Sequence, residues 1–203
     1  MNILITEQQL NNIINNNVEP INENINKIGI TAYHGSNSEI DVFKNDFVGG
    51  QEAIDAQGPG VYFTNNRYDA EHFGKYLYTV SINTNKILSD RNKKGITPKL
   101  IIDLIKLKKD WEMNAYDWDE NLNRGLKKSV EAILDNDNAK DIITQVYIEY
   151  YSSQPLLYVQ NCVKIGIDGI SHVNVWGDGV TTSQHYIMYN PNVINIIKKE
   201  INS

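Results

Sequence analysis

Three short stretches, far apart in the chain, hold the side chains that chemistry can use. They are Tyr33-His34-Gly35-Ser36, Gly58-Pro59-Gly60-Val61-Tyr62-Phe63-Thr64 and Gln184-His185-Tyr186-Ile187-Met188-Tyr189-Asn190-Pro191. In the middle stretch two glycines and a φ-restricted proline stand directly before an aromatic, β-branched run. That is the pattern of a strand entered through a tight turn. Glycine ahead of a strand lets a ligand approach backbone amides with no Cβ in the way, and Tyr62 sits where a flat ring can wall a pocket. The same pattern also serves a plain core strand with a buried tyrosine. Other chemistries find less support. His72 and His172 have no partners at zinc-ligand spacing, so no metal site is expected. The Gly-Lys-Ser/Thr element of a phosphate-binding P-loop is absent. Cys162 lies in the apolar run Leu156 to Ile165 and reads as a buried, inert thiol.

The elements that must position these residues follow from periodicity. Ile28 to His34 is a compact apolar strand, closed by the turn chemistry of Gly35, Ser36 and Asn37. Ile40, Val42 and Phe43 are expected to pack on the sheet, and residues 44–57 to form a loop beside a site. After the Tyr62 strand, Asn65 and Asn66 can cap a helix over about 67–75 with Ala70 and Phe73 on its apolar side and Gly74 near its end. Leu77 to Ile82 alternates as another strand. Thr97-Pro98 opens a helix. Stripes at Leu100 to Ile105, Leu122 to Leu134 and Ile142 to Tyr150, then a start at Pro155, suggest four helices between the two groups of strands. Strand character returns at Gly169 to Val175, Tyr186 to Tyr189 and Val193 to Ile197, with Asp168-Gly169 read as a turn. Trp111 to Glu120 reads as a solvated connection. Strands at both ends with helices between them imply an α+β fold.

The chain has 203 residues, 41% hydrophobic and 22% charged, which suits a soluble globular domain with a sizeable core. A formal net charge of −6 with no dense Lys/Arg stripe argues against a dedicated nucleic-acid-binding surface. The single cysteine excludes an internal disulfide and fits a reducing compartment. The opening residues lack a basic start and a long apolar run, so no signal peptide is expected. No stretch has the roughly 18 apolar residues of a membrane span. Residues 1–27 read as a helical lead-in and polar linker. Residues 28–203 read as the main domain, with a helical insertion at about 97–165.

Taken together, the three stretches resemble the ADP-ribosyltransferases of the His-Tyr-Glu group, which includes the diphtheria-toxin-like toxins and the poly(ADP-ribose) polymerases. They are most similar to the domains of phage polyvalent proteins. Those domains also show a small residue, two variable positions, an aromatic and a glycine after the second motif, here Ala70-Glu71-His72-Phe73-Gly74. The resemblance covers residues 30–84 and 168–198. It implies a split β-sheet of the ADP-ribosyltransferase type, interrupted by the helical insertion. It also implies NAD as substrate, an acceptor of unknown kind, and residence in the cytoplasm of a bacterial host. His34, Gly35, Ser36, Tyr62 and Phe73 are then the NAD-binding residues. Gly35 would offer backbone groups to the nicotinamide carboxamide, Tyr62 and Phe73 would hold the ring from two faces, and His34 would bind a ribose hydroxyl. Outside that constellation His34 reads as a structural histidine bonded to backbone.

The sequence departs from the family at one place. The pattern Glu-Tyr-Ile-Val-Tyr becomes His185-Tyr186-Ile187-Met188-Tyr189, so His185 stands at the glutamate position and Gln184 precedes it. Both are candidates for the catalytic position. A bulge would be needed to bring Gln184 to the cleft, because adjacent strand residues face opposite ways. Neither brings a full negative charge, which favours transfer of one ADP-ribose over polymer elongation. An NAD-binding or structural module without turnover is the alternative. The loop Trp176 to Ser183, which selects the acceptor in the family, contains a tryptophan that is either an exposed contact or a core aromatic.

Overall fold

A computed structural model of the protein describes residues 29–45, 58–112, 120–175 and 182–202. The expected lead-in, most of the 44–57 loop, the centre of the Trp111 to Glu120 connection and Trp176 lie outside the described residues. Strands β1 (Gly29–Ser36), β2 (Val61–Thr64), β3 (Tyr76–Asn83) and β4 (Ile87–Ser89) precede the helices, with the short helix α1 (Arg67–Glu71) between β2 and β3. Helices α2 (Pro98–Glu112), α3 (Glu120–Leu134), α4 (Ala139–Val146) and α5 (Pro155–Lys164) follow. A π-helical turn, Tyr147–Tyr151, lies between the last two. Strands β5 (Gly169–Val175), β6 (Thr182–Met188) and β7 (Ile194–Ile201) complete the order.

The described strands form one seven-stranded sheet in the order β4-β5-β6-β2-β1-β3-β7. Neighbours are antiparallel except β4 and β5. The α+β class expected from the sequence is the class observed. The pairing is uneven. β1 and β3 share eight consecutive register pairs from Gly29↔Asn83 to Ser36↔Tyr76, and β2 pairs with β6 along its whole length. Between β1 and β2 the register has the single pair Tyr33↔Thr64. The split implied by the resemblance is therefore a seam, with β4-β5-β6-β2 on one side and β1-β3-β7 on the other.

Each face of the sheet has its own core. The inserted helices bury Ile101, Leu104, Ile105, Ile133, Ile142, Ile143 and Val146 against Leu88, Ile170, Ile187 and Tyr189. A second cluster gathers Ala32, Tyr78, Val80 and Ile82 with Phe43, Phe63 and Met188. Because side chains alternate along a strand, Ile187 and Met188 serve opposite cores. The buried tyrosines of the helical core keep their hydroxyls satisfied. Tyr151 donates to the Leu104 carbonyl at 2.5 Å and Tyr158 to that of Ile143 at 3.0 Å. Cys162 is buried there, and burial pushes its thiol pKa up, the condition of an unreactive thiol.

Some expectations are corrected. β1 runs on through Gly35 and Ser36 where a turn was expected, since β3 continues to pair with them. Val42 is exposed, while Ile40 and Phe43 pack on the sheet as expected. α1 ends at Glu71, so Phe73 lies beyond it and is 59% exposed instead of lining its apolar side. β6 starts at Thr182 and β7 runs to Ile201. The three-residue strand β4 was not legible, being too short to show a period. Asp168 is more than a turn residue. It accepts from Thr84 Oγ1 at 2.5 Å and Asn190 Nδ2 at 2.7 Å, and its carbonyl accepts from the Tyr189 and Asn190 amides. It thereby ties the β3–β4 link to the end of β6. No helix of the described residues is long and apolar enough to cross a membrane.

Candidate active site at the strand seam

Beyond the Tyr33↔Thr64 pair, β1 and β2 have no further ladder pairing, and the edge of β1 from His34 to Ser36 that faces β2 is open among the described residues. His34 takes over where the ladder stops. Its Nδ1–H donates to the backbone carbonyl of Tyr62 at 2.7 Å. A carbonyl only accepts, so the proton sits on Nδ1 and the lone pair on Nε2. Nε2 makes no hydrogen bond among the described residues. Burial lowers the imidazole pKa, against the smaller opposing effect of the Tyr62 carbonyl, and so favours the neutral ring. The ring is wedged among Phe43, Phe63 and Tyr78, with centroids 5.2, 5.5 and 6.2 Å away. His34 thus bonds to backbone, as its structural reading predicts, and still presents an acceptor.

Tyr62 follows the other side of β2. It packs against the helical core, and its hydroxyl donates to the Gly58 carbonyl. The bond ties the ring to the turn that precedes its strand. His34 therefore touches the ring of Phe63, not that of Tyr62, and meets Tyr62 through backbone. Gly35 is required by packing. A Cβ there would stand 1.9 Å from the Ala70 carbonyl oxygen and 3.0 Å from Phe73 Cβ. The space a side chain would fill belongs to the end of α1, which presses on β1 and brings Phe73 next to Gly35. Gly74 continues the contact, since a Cβ on it would meet the Ser36 backbone at 2.2 Å. The Ser36 hydroxyl accepts from the Ser38 amide at 3.1 Å.

Register answers the geometric question about Gln184 and His185. β6 pairs without interruption with β2, from Val61↔Met188 to Thr64↔His185, and with β5, from Gly169↔Met188 to Val175↔Thr182. There is no bulge, so the two side chains face opposite ways. Gln184 is held through its backbone by Asn65, with both bonds at 2.9 Å, and its Oε1 lies 3.5 Å from Arg91 Nη2. His185 shares a face with Thr64 and Tyr62 of β2 and His172 of β5.

Around His185 lies a polar group that the sequence reading did not single out. Ser183 Oγ is 3.0 Å from His185 Nε2, and Asp69 Oδ2 is 3.9 Å from the same nitrogen. Asp69 is 3% exposed, in the first turn of α1. Thr64 Oγ1 donates to its Oδ2 at 3.4 Å and Asn66 Nδ2 to its Oδ1 at 3.0 Å. The ring of His172 stands 5.4 Å from that of His185, and both its nitrogens are buried with no hydrogen-bond partner among the described residues. The sequence offered one signal for Asp69: it lies three residues after the cap Asn66, where a helix N-terminus favours a carboxylate.

Against known families, residues 29–201 match the model described as ADP-ribosyltransferase in polyvalent proteins. The chain belongs to that family. The match runs from the start of β1 to the end of β7. Among curated proteins none matches. A solved structure described as that of an anti-CRISPR protein aligns over 86% of this chain and 99% of its own, at 14% identity and a TM-score of 0.43. That likeness is too distant to bear on the ADP-ribosyltransferase site.

Proposed function

We propose that the domain cleaves the nicotinamide–ribose bond of NAD and transfers a single ADP-ribose to an acceptor macromolecule or small molecule. The observation that carries this reading is the seam. Two strands part after one ladder pair, one backbone edge is left open, and a neutral imidazole stands in the gap with Nε2 free to accept. An open edge at Gly35 suits a carboxamide, which offers one donor and one acceptor group. The exposed ring of Phe73 beside Gly35 suits a flat cationic ring, worth about 0.5–2 kcal/mol on stacking. Tyr62, tied to Gly58, supplies a fixed second wall, and His34 Nε2 accepts from a ribose hydroxyl. Ser36 closes the strand end beside Gly74. His185, at the position of the family glutamate, is the residue we assign to the catalytic position, and the uninterrupted register, which turns Gln184 to the other face, supports that choice.

In the reaction the C–N bond to nicotinamide breaks and its electron pair leaves with the ring. Positive charge builds on the ribose, and the acceptor's oxygen or nitrogen forms the new bond. An uncharged acceptor at residue 185 stabilises that charge less than a carboxylate does. That favours one transfer over chain elongation. It also favours a second reading, in which the cleft binds NAD without turning it over.

Incubation with labelled NAD and a bacterial lysate separates the two. Label transfer or free nicotinamide is the expected result. Calorimetric NAD binding with neither product supports the binding module, and no affinity at all ends both. Tyr62→Ala is expected to weaken NAD binding at least tenfold, about 1.4 kcal/mol, with the circular dichroism spectrum unchanged.

A further inference from the structure

We propose that Asp69 and His185 form a working dyad, in which the buried carboxylate makes the imidazole the proton acceptor of the reaction. The proposal rests on the transferase reading above and names the group that substitutes for the missing glutamate. Three observations carry it. A carboxylate 3% exposed is costly unless something in the fold uses its charge, and Thr64 and Asn66 hold it on the His185 side of α1. Both Asp69 Oδ2 and Ser183 Oγ lie on one nitrogen of His185, Nε2, at 3.9 and 3.0 Å. The other nitrogen, Nδ1, makes no hydrogen bond among the described residues.

The field of the carboxylate favours the tautomer with its proton on Nε2, where Ser183 Oγ can accept it. The lone pair then lies on Nδ1. This is the division of labour of a carboxylate–histidine pair, in which one nitrogen is oriented and the other takes the proton. As nicotinamide leaves with the electron pair of the C–N bond, the acceptor group attacks the ribose carbon. Its proton passes to Nδ1, and the imidazolium so formed is stabilised by Asp69. Solvent then takes the proton, and no other reactant is needed. Asp69 touches no substrate and is a positioning residue.

The groups facing His185 define the pH behaviour. Asp69 approaches from α1 and His172 from β5, and Lys140 and Asp90 act on His172. Burial lowers the His185 pKa and Asp69 raises it. Removing the carboxylate therefore moves the titration to lower pH. A base works when deprotonated, so turnover rises with pH through this titration.

The test is Asp69→Asn, which keeps the side-chain shape and an acceptor for Thr64. The His185 ring proton is followed by NMR against pH in the intact chain, and nicotinamide release from NAD is measured in parallel. The expected result is a titration shifted to lower pH, with nicotinamide release down on the order of 10²-fold and NAD affinity unchanged. Asp69→Glu is expected to restore part of the rate and of the shift. An unmoved His185 titration in Asp69→Asn overturns the dyad, whatever the rate. A wild-type chain with a shifted titration in the variant but no nicotinamide release overturns the transferase reading and the dyad's catalytic role, while the coupling itself stands.

Discussion

At the scale of single residues, the seam depends on what is missing as much as on what is present. Gly35 is a packing glycine whose absent Cβ is replaced by the carbonyl of Ala70. Gly35→Ala must either lift α1 from β1 or shift the β1 backbone, an overpacking that typically costs about 1–3 kcal/mol. The expected outcome is a lower urea midpoint together with a loss of NAD affinity larger than that of Ser36→Ala. Denaturant melts and calorimetry on the two variants check it. Equal affinities would mean that α1 does not set the seam. On the proposed reading His34 meets a structural and a functional demand together, one ring nitrogen closing the ladder and the other making no hydrogen bond among the described residues.

At the scale of elements, the sheet is most thinly paired where the proposed reading places the ligand. β1 is held by β3 through eight pairs and by β2 through one. Backbone groups outside a ladder exchange with solvent more readily than those inside it. In hydrogen exchange, NAD is expected to slow the segments Tyr33 to Ser36 and Val61 to Thr64 and to leave β5 unchanged. Protection spread evenly over all strands would count against a seam-located site. The edges of the sheet are managed differently. β4 has three residues, and β7 carries Lys198 and Lys199, both of which deter pairing with another chain.

At the scale of the whole molecule, three histidines are held partly or fully inside the fold, and burial is the largest cause of a lowered pKa in each. His172 shows the effect most clearly. Burial, then the nearby Lys140 and His185, push it down to about 4, with Asp90 opposing. The unfolded chain takes up a proton near pH 6.5, but the folded one does not until about pH 4. Between those values the unfolded state binds more protons, so stability falls as pH falls. His172→Leu is expected to flatten this dependence by on the order of 1 kcal/mol, read as urea midpoints at pH 7, 5.5 and 4.5. An unchanged slope would place the acid sensitivity on His34 and His185.

Composition and periodicity by themselves determined the α+β class, the position of most strands, the helix opening at Pro98 and the burial of Cys162, because each rests on local pattern and chain-wide polarity. The motifs around His34, Tyr62, Phe73 and Tyr186 resemble those of the family that the match over residues 29–201 establishes. The tertiary structure alone decided the rest. Whether Gln184 or His185 shares a face with Tyr62 depends on an unbroken register with two neighbouring strands, and no local signal encodes the absence of a bulge. The use of Gly35 depends on a helix thirty-odd residues away. Asp69 meets His185 across more than a hundred residues of chain, including the inserted helices. Contacts of that separation arise only when the sheet closes, which is why a residue that reads as part of a helix cap becomes the charge beside the candidate catalytic histidine.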